Sequence, residues 1–174
     1  MYDYHSERNG SLDVRRTQVG MSNTSNQYVE PGKGLMFTVT GGTVTRKMSG
    51  EEVGLPYSLY EVVSEVGTGP RPHIHHGQDE AYYVLAGTAE FLMGEKKMTV
   101  TAGTYFNIPN GTVHAYTIVG AEACKMLIVL TPPGQLEHFW EEIDQLMKDV
   151  TVSASARAEK IKEIGAQHNL EFVS

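Results

Sequence analysis

Histidine is the commonest side-chain ligand for transition metals and the side chain whose charge changes near neutral pH. Seven are present here, and three of them fall into a patterned group. His73 and His75 lie two residues apart in Gly67-Thr68-Gly69-Pro70-Arg71-Pro72-His73-Ile74-His75. Positions i and i+2 of a strand face one side, so both imidazoles point the same way. Gly77-Gln78-Asp79 reads as a turn, and Glu80 opens the next strand, where its carboxylate can close on the same point. His114, after Pro109-Asn110-Gly111-Thr112-Val113, can supply a third nitrogen from an opposing hairpin. Three neutral imidazoles and one carboxylate suit one divalent transition metal. Imidazole suits iron, copper, nickel and zinc, and the carboxylate with spare water positions also admits manganese or cobalt. Any one of these residues alone reads as a locally satisfied polar group; the set together reads as a site. His76 is out of phase with the pair and is expected to face solvent. His5, His138 and His168 have no partner at ligand spacing. Arg71 shares the parity of His73, and for it a surface ion pair is favoured over a contact with a substrate acid.

Such a group has to be held by strands, and the middle of the chain has their texture. Short runs rich in Val, Tyr, Phe, Ile and Thr alternate with glycine-bearing turns, predicting strands over 36–40, 44–47, 58–66, 81–85, 88–93, 97–101, 113–119 and 125–130. Many short strands at this spacing point to a sandwich or a small barrel. By parity, Tyr82 and Val84 share the face of Glu80, and Tyr116 and Ile118 share the face of His114. These four are the candidate substrate pocket, with barrel filling as the competing role; an aromatic and aliphatic lining favours a flat organic molecule. Parity leaves open whether Tyr83, Tyr105 and Phe106 join that lining or the outer core. After Thr131-Pro132-Pro133-Gly134 the period changes. Leu136, Phe139, Trp140, Ile143, Leu146, Met147 and Val150 step by three and four, the stripe of an amphipathic helix packed on the barrel or on a partner. A second helix begins near Ser153 or Ser155, either a suitable N-cap, and ends near Gly165 or Asn169.

The composition narrows the function classes. A chain of 174 residues with 40% hydrophobic residues has enough apolar mass for one folded domain. No apolar run is long enough to span a membrane. A formal net charge of −7 argues against a nucleic-acid partner. The lone Cys124 cannot form an internal disulfide, and with no signal-peptide pattern at Met1 a cytoplasmic location is expected. Cys124 itself is expected to be a buried small residue. Residues 1–34 carry no sustained period and are expected to be a loosely attached arm, or else an edge strand exchanged with a partner subunit.

The spacing resembles the cupin superfamily. Its first motif reads here as Gly67, His73, His75, Glu80 and Gly87, and its second as Gly103, Pro109, Gly111 and His114, with Ile118 where asparagine is usual. The resemblance implies an all-β fold, the double-stranded β-barrel or jelly roll, spanning 35–132 and followed by a helical extension over 133–174. It also implies a metal held by His73, His75, Glu80 and His114. Val53-Gly54-Leu55-Pro56-Tyr57 and the Thr131-Pro132-Pro133-Gly134 segment are similar to single-domain cupins of the bacterial quercetin 2,3-dioxygenase type. That similarity implies a dioxygenase acting on an aromatic or enolisable substrate. A flavonol hydroxyl would bind the metal, Glu80 would take its proton as the catalytic base, and ring opening with release of carbon monoxide would follow. The expected partners are therefore a small organic substrate and dioxygen, and a homodimer is the expected assembly. Two other functions stay open: a non-catalytic small-molecule-binding cupin, and a cupin sugar isomerase or epimerase. Against the second, the barrel strands are short of inward-phased basic residues to hold a phosphate.

Overall fold

Alternation of apolar and polar side chains builds the barrel of the computed structural model, which describes residues 28–173. In chain order the elements are β1 (Leu35–Val39), β2 (Gly42–Met48), α1 (Gly50–Val53), β3 (Ser58–Ser64), β4 (His73–His75), β5 (Asp79–Ala86), β6 (Thr88–Met93), β7 (Lys96–Thr101), β8 (Tyr105–Ile108), β9 (His114–Val119), β10 (Cys124–Thr131), α2 (Gln135–Lys148), α3 (Ala154–Gln167) and β11 (Leu170–Phe172). The strands form two antiparallel sheets, one ordered β1-β2-β3-β10-β5-β8 and the other β11-β4-β9-β6-β7. This mostly β architecture with C-terminal helices is the jelly roll expected from the motifs. Of the arm or exchanged strand expected over residues 1–34, residues 1–27, with His5, lie outside the described residues, and 28–34 are exposed and hold no strand.

Strand period decides what faces inward. Tyr60 and Val62 on β3, Met126, Ile128 and Leu130 on β10, and Tyr82 and Val84 on β5 are all buried between the sheets. Cys124 is buried with them. Phe91 and Phe106 join this core, Phe106 stacking on Tyr82 with ring centroids 5.2 Å apart, whereas Tyr83 and Tyr105 are exposed on the outer face.

The stripe of α2 is spent inside the chain. Leu136, Phe139, Trp140, Ile143 and Leu146 are buried, while Val150, placed in the same stripe by its spacing, lies beyond the helix and is 93% exposed. Trp140 meets Tyr60 edge-on at 4.6 Å. A buried polar contact fastens the same helix: the Ser49 hydroxyl donates to Glu137 at 2.7 Å, and the Ser58 hydroxyl donates to the other Glu137 oxygen. On α3 the Ser153 side chain caps the N-terminus, and Asn169, at φ 56°, follows the helix as it ends. The chain then returns through β11, which pairs with β4 and so completes the sheet edge beside the histidines. No helix among the described residues is long and apolar enough to cross a membrane.

Candidate metal centre

His73 and His75 both occupy β4, and their side chains are buried on one face with Ile74 turned away between them. His114 is the first residue of β9 and pairs directly with His73 across the ladder. It therefore comes from the neighbouring strand of the same sheet, not from an opposing hairpin. Glu80 is the group that crosses, reaching over from β5 in the other sheet. The four donor atoms all lie within 4.8 Å of one another, and all four residues are buried.

Two turns hold this geometry. The Asn110 side chain accepts a hydrogen bond from the Gly77 N–H at 2.6 Å, and the Asn110 N–H donates to Asp79 at 2.7 Å. The Gly111 N–H donates to the His75 carbonyl at 3.0 Å. The segment leading into His114 is thus tied to both ends of the turn between His75 and Glu80. Gly111 is needed there because its φ of 80° lies in the left-handed region. Gly69 serves differently: a Cβ at that position would fall on the Tyr116 carbonyl, so only glycine lets the approach to β4 run this close to β9.

Hydrogen bonding sets the imidazole tautomers. His73 Nδ1 lies 2.7 Å from the Arg71 carbonyl, and His114 Nδ1 lies 3.0 Å from the Thr112 carbonyl. A carbonyl only accepts, so each Nδ1 carries the proton and each neutral ring presents a bare Nε2 lone pair. Yet His114 Nε2 sits 3.0 Å from Glu80 Oε2. In the neutral tautomer two acceptors face each other there, and the contact needs a proton or a cation between them. His75 Nε2 is also buried, without a hydrogen-bond partner among the described residues, 3.7 Å from the same carboxylate oxygen. Lone pairs orphaned in this way fit a metal ion.

The charges agree with this. Burial, together with the neighbouring imidazoles, pulls His73 down to about 3. His75 is lowered by burial as well. Burial opposes the charge on Glu80, but the facing imidazoles, His75 foremost, win and hold its carboxyl at about 2. Burial also works against His114, yet its hydrogen bond to Glu80 raises it above the ordinary 6.5. At neutral pH the metal-free cluster therefore holds an ionised carboxylate, two neutral rings, and one imidazole that draws a proton. Protons then compete with a cation mainly at His114. Metal affinity should fall with acidification, starting above pH 6.5, by about tenfold per pH unit for a single displaced proton. Competition titration with a metal-sensitive dye would measure it, and occupancy that stays flat down to about pH 4.5 would contradict the assignment.

His73, His75 and Glu80 open onto a cavity of about 600 Å³ between the sheets and the C-terminal helices. Tyr82 and Tyr116 line it, and both hydroxyls are held in the protonated form by burial, to which the Glu80 charge adds. The Tyr116 hydroxyl is 3.1 Å from Ser64 Oγ. Val84 and Ile118 do not line the cavity. They face inward as parity requires, but deeper in the barrel, where both are packed in the core. Parity gives the face of a strand, not the depth along it. Much of the lining was not read from the sequence: Phe139, Trp140 and Ile143 of α2, Arg157 and Ile161 of α3, and Phe172 of β11. The helical period marked the apolar stripe of α2, but nothing local says that it roofs a cavity. The other histidines among the described residues pair with surface acids, His76 with Glu171 at 2.8 Å, His138 with Glu51 at 3.1 Å and His168 with Glu142 at 2.7 Å.

Residues 60–130 match the family model described as Cupin domain. Among curated proteins, the chain is 29% identical over 99 residues to an uncharacterized protein from Methanocaldococcus jannaschii, a match covering 56% of this chain and 79% of that protein. Among solved structures, KdgF from Halomonas sp. superposes with a TM-score of 0.55 at 18% identity, covering 64% of this chain and 96% of KdgF. A predicted oxalate decarboxylase from Thermotoga maritima also gives a TM-score of 0.55, at 20% identity, covering 61% of this chain and 99% of that one. At these identities the structural likeness speaks for the fold. The segment that matches the Cupin domain model carries His73, His75, Glu80 and His114, and the barrel shares the fold of these solved structures.

Proposed function

We propose that this chain is a metal-dependent enzyme of the dioxygenase type, acting on an aromatic or enolisable organic molecule, with His73, His75, Glu80 and His114 as ligands of one divalent transition metal. The observation that carries the reading is the position of the cluster. A structural metal site is closed off by its own ligands, whereas catalysis needs an open position. Here three of the four candidate ligands form part of the wall of a cavity large enough for a small organic substrate. The rest of that wall is largely aliphatic and aromatic, which suits a flat or apolar body better than a polyhydroxylated sugar phosphate.

A divalent metal bound there supplies Lewis acidity and a template for substrate and dioxygen. The chain's own groups do the remainder. Glu80, ionised and nearly excluded from solvent, accepts the proton of an acidic substrate hydroxyl or enolisable C–H. Its carboxylate then becomes a carboxylic acid beside the substrate anion. Tyr82 and Tyr116, both kept protonated, donate hydrogen bonds toward oxygens of the bound molecule. Val62, Phe139 and Trp140 exclude water from the reacting centre. Oxygen uptake by the metal-loaded protein with a panel of flavonols and β-diketones tests this reading. Substrate-dependent uptake is the expected result. Tight binding of such compounds with no uptake under any of the candidate metals would make the protein a binder and overturn the enzyme reading.

A further inference from the structure

The cavity-facing side of α3 breaks the rule that such a face should be apolar. Ala154, Ala158 and Ile161 line the cavity at helical spacing, and Arg157 stands in the middle of that stripe. Its guanidinium is already oriented: Nη2 donates to the Asp149 carbonyl at 3.0 Å and to the Val152 carbonyl at 3.4 Å. Its Nε is buried and has no hydrogen-bond partner among the described residues. An oriented cation with an unsatisfied buried donor, on the wall of an apolar cavity, is a receptor for an oxyanion.

The charge balance of the lining points the same way. Arg71 and Lys162 also line the cavity, and Glu80 is its only acidic residue among the described residues. Glu80 is committed to His114 and His75. Lys162 is partly neutralised by Glu159 at 3.1 Å. The Asp149 carboxylate is taken by the backbone and hydroxyl of Thr151. Of the three cations, Arg157 is the one whose guanidinium is oriented by two carbonyls while its Nε stays buried without a partner among the described residues.

We propose that the cavity takes an organic carboxylate with an apolar body, whose acid group is held by Arg157 on α3. This deepens the reading of the cavity as a substrate site and rests on it. Arg157 adds affinity for an acid group on the ligand, and the apolar wall takes the rest of the molecule.

The probes are 4-phenylbutyrate and its uncharged amide, titrated by calorimetry and by the emission of Trp140, the only tryptophan of the chain and part of the cavity wall. The protein is used as purified and again after treatment with a chelator. The acid should bind at least about tenfold more tightly than the amide, with and without chelator, because the amide loses the ionic, two-oxygen pairing with the guanidinium. Arg157→Met should abolish that preference by weakening the acid much more than the amide, and Arg157→Lys should restore part of it. Equal binding of acid and amide would overturn the proposal, as would failure of both to bind. A parallel loss of both ligands in Arg157→Met would also overturn it, since that marks only a loosened α2–α3 connection. A preference that vanishes on chelation would assign the anion to the metal and overturn it too. Acid preference without oxygen uptake would leave this proposal standing and remove only the enzyme reading.

Discussion

Replacing His73, His75 or His114 with alanine should remove most of the bound metal, each change weakening affinity by more than about 100-fold. Loss of a residue that merely orients a metal ligand typically costs about 10–100-fold, and loss of a ligand costs more. His76→Ala is the matched control. It is adjacent in sequence, but its ring faces outward and pairs with Glu171 on the surface. That variant should retain metal like the parent. Elemental analysis after dialysis against a weak chelator decides the matter, and equal loss in all four variants would contradict the ligand assignment. Circular dichroism separates metal loss from unfolding, and His114→Gln offers a side chain closer in size where alanine leaves too large a void.

The second large effect concerns Glu80. Glu80→Gln keeps the shape of the side chain, and its amide can donate to the bare His114 Nε2 that the carboxylate oxygen now faces at 3.0 Å. The variant is therefore expected to fold. An amide cannot accept the substrate proton, so turnover should fall by about 10²–10⁴-fold even when metal is supplied in excess, the usual range for a general base. The assay is substrate-dependent oxygen uptake by metal-replete variant and parent. Equal turnover would remove Glu80 as the base and leave it only a ligand.

Much of the site was legible because strand geometry is periodic. His73 and His75 had to share a face, and the turn at Gly77-Gln78-Asp79 had to bring Glu80 back toward them. What the spacing could not say was which sheet supplied which donor: His114 lies beside His73, and it is Glu80 that crosses the barrel. The pocket shows the same limit. Tyr82 and Val84 share a face of β5, yet only Tyr82 reaches the cavity. Two strands left no local signal. The four residues of β8 sit between the Gly103 turn and Pro109, with exposed Tyr105 and Asn107 alternating against buried Phe106 and Ile108. The three residues of β11 are a strand only because β4, far away in the sequence, offers them an edge. The α2 stripe was legible as packing, and its apolar residues up to Leu146 are buried within the chain. Arg157 was invisible as a ligand-binding group, because one basic residue in a helix reads as a solvated charge until the neighbouring wall is known.

The central claim is that one metal ion sits among His73, His75, Glu80 and His114 on the wall of the cavity. X-ray absorption spectroscopy of the metal-loaded protein tests it most directly. The account predicts a first shell of nitrogen and oxygen at about 2.0–2.2 Å with the multiple scattering of several imidazoles, reduced by one ring in His75→Ala when metal is supplied at a concentration that overcomes its weakened affinity. A shell without imidazole scattering, or a spectrum identical in parent and His75→Ala, would contradict it.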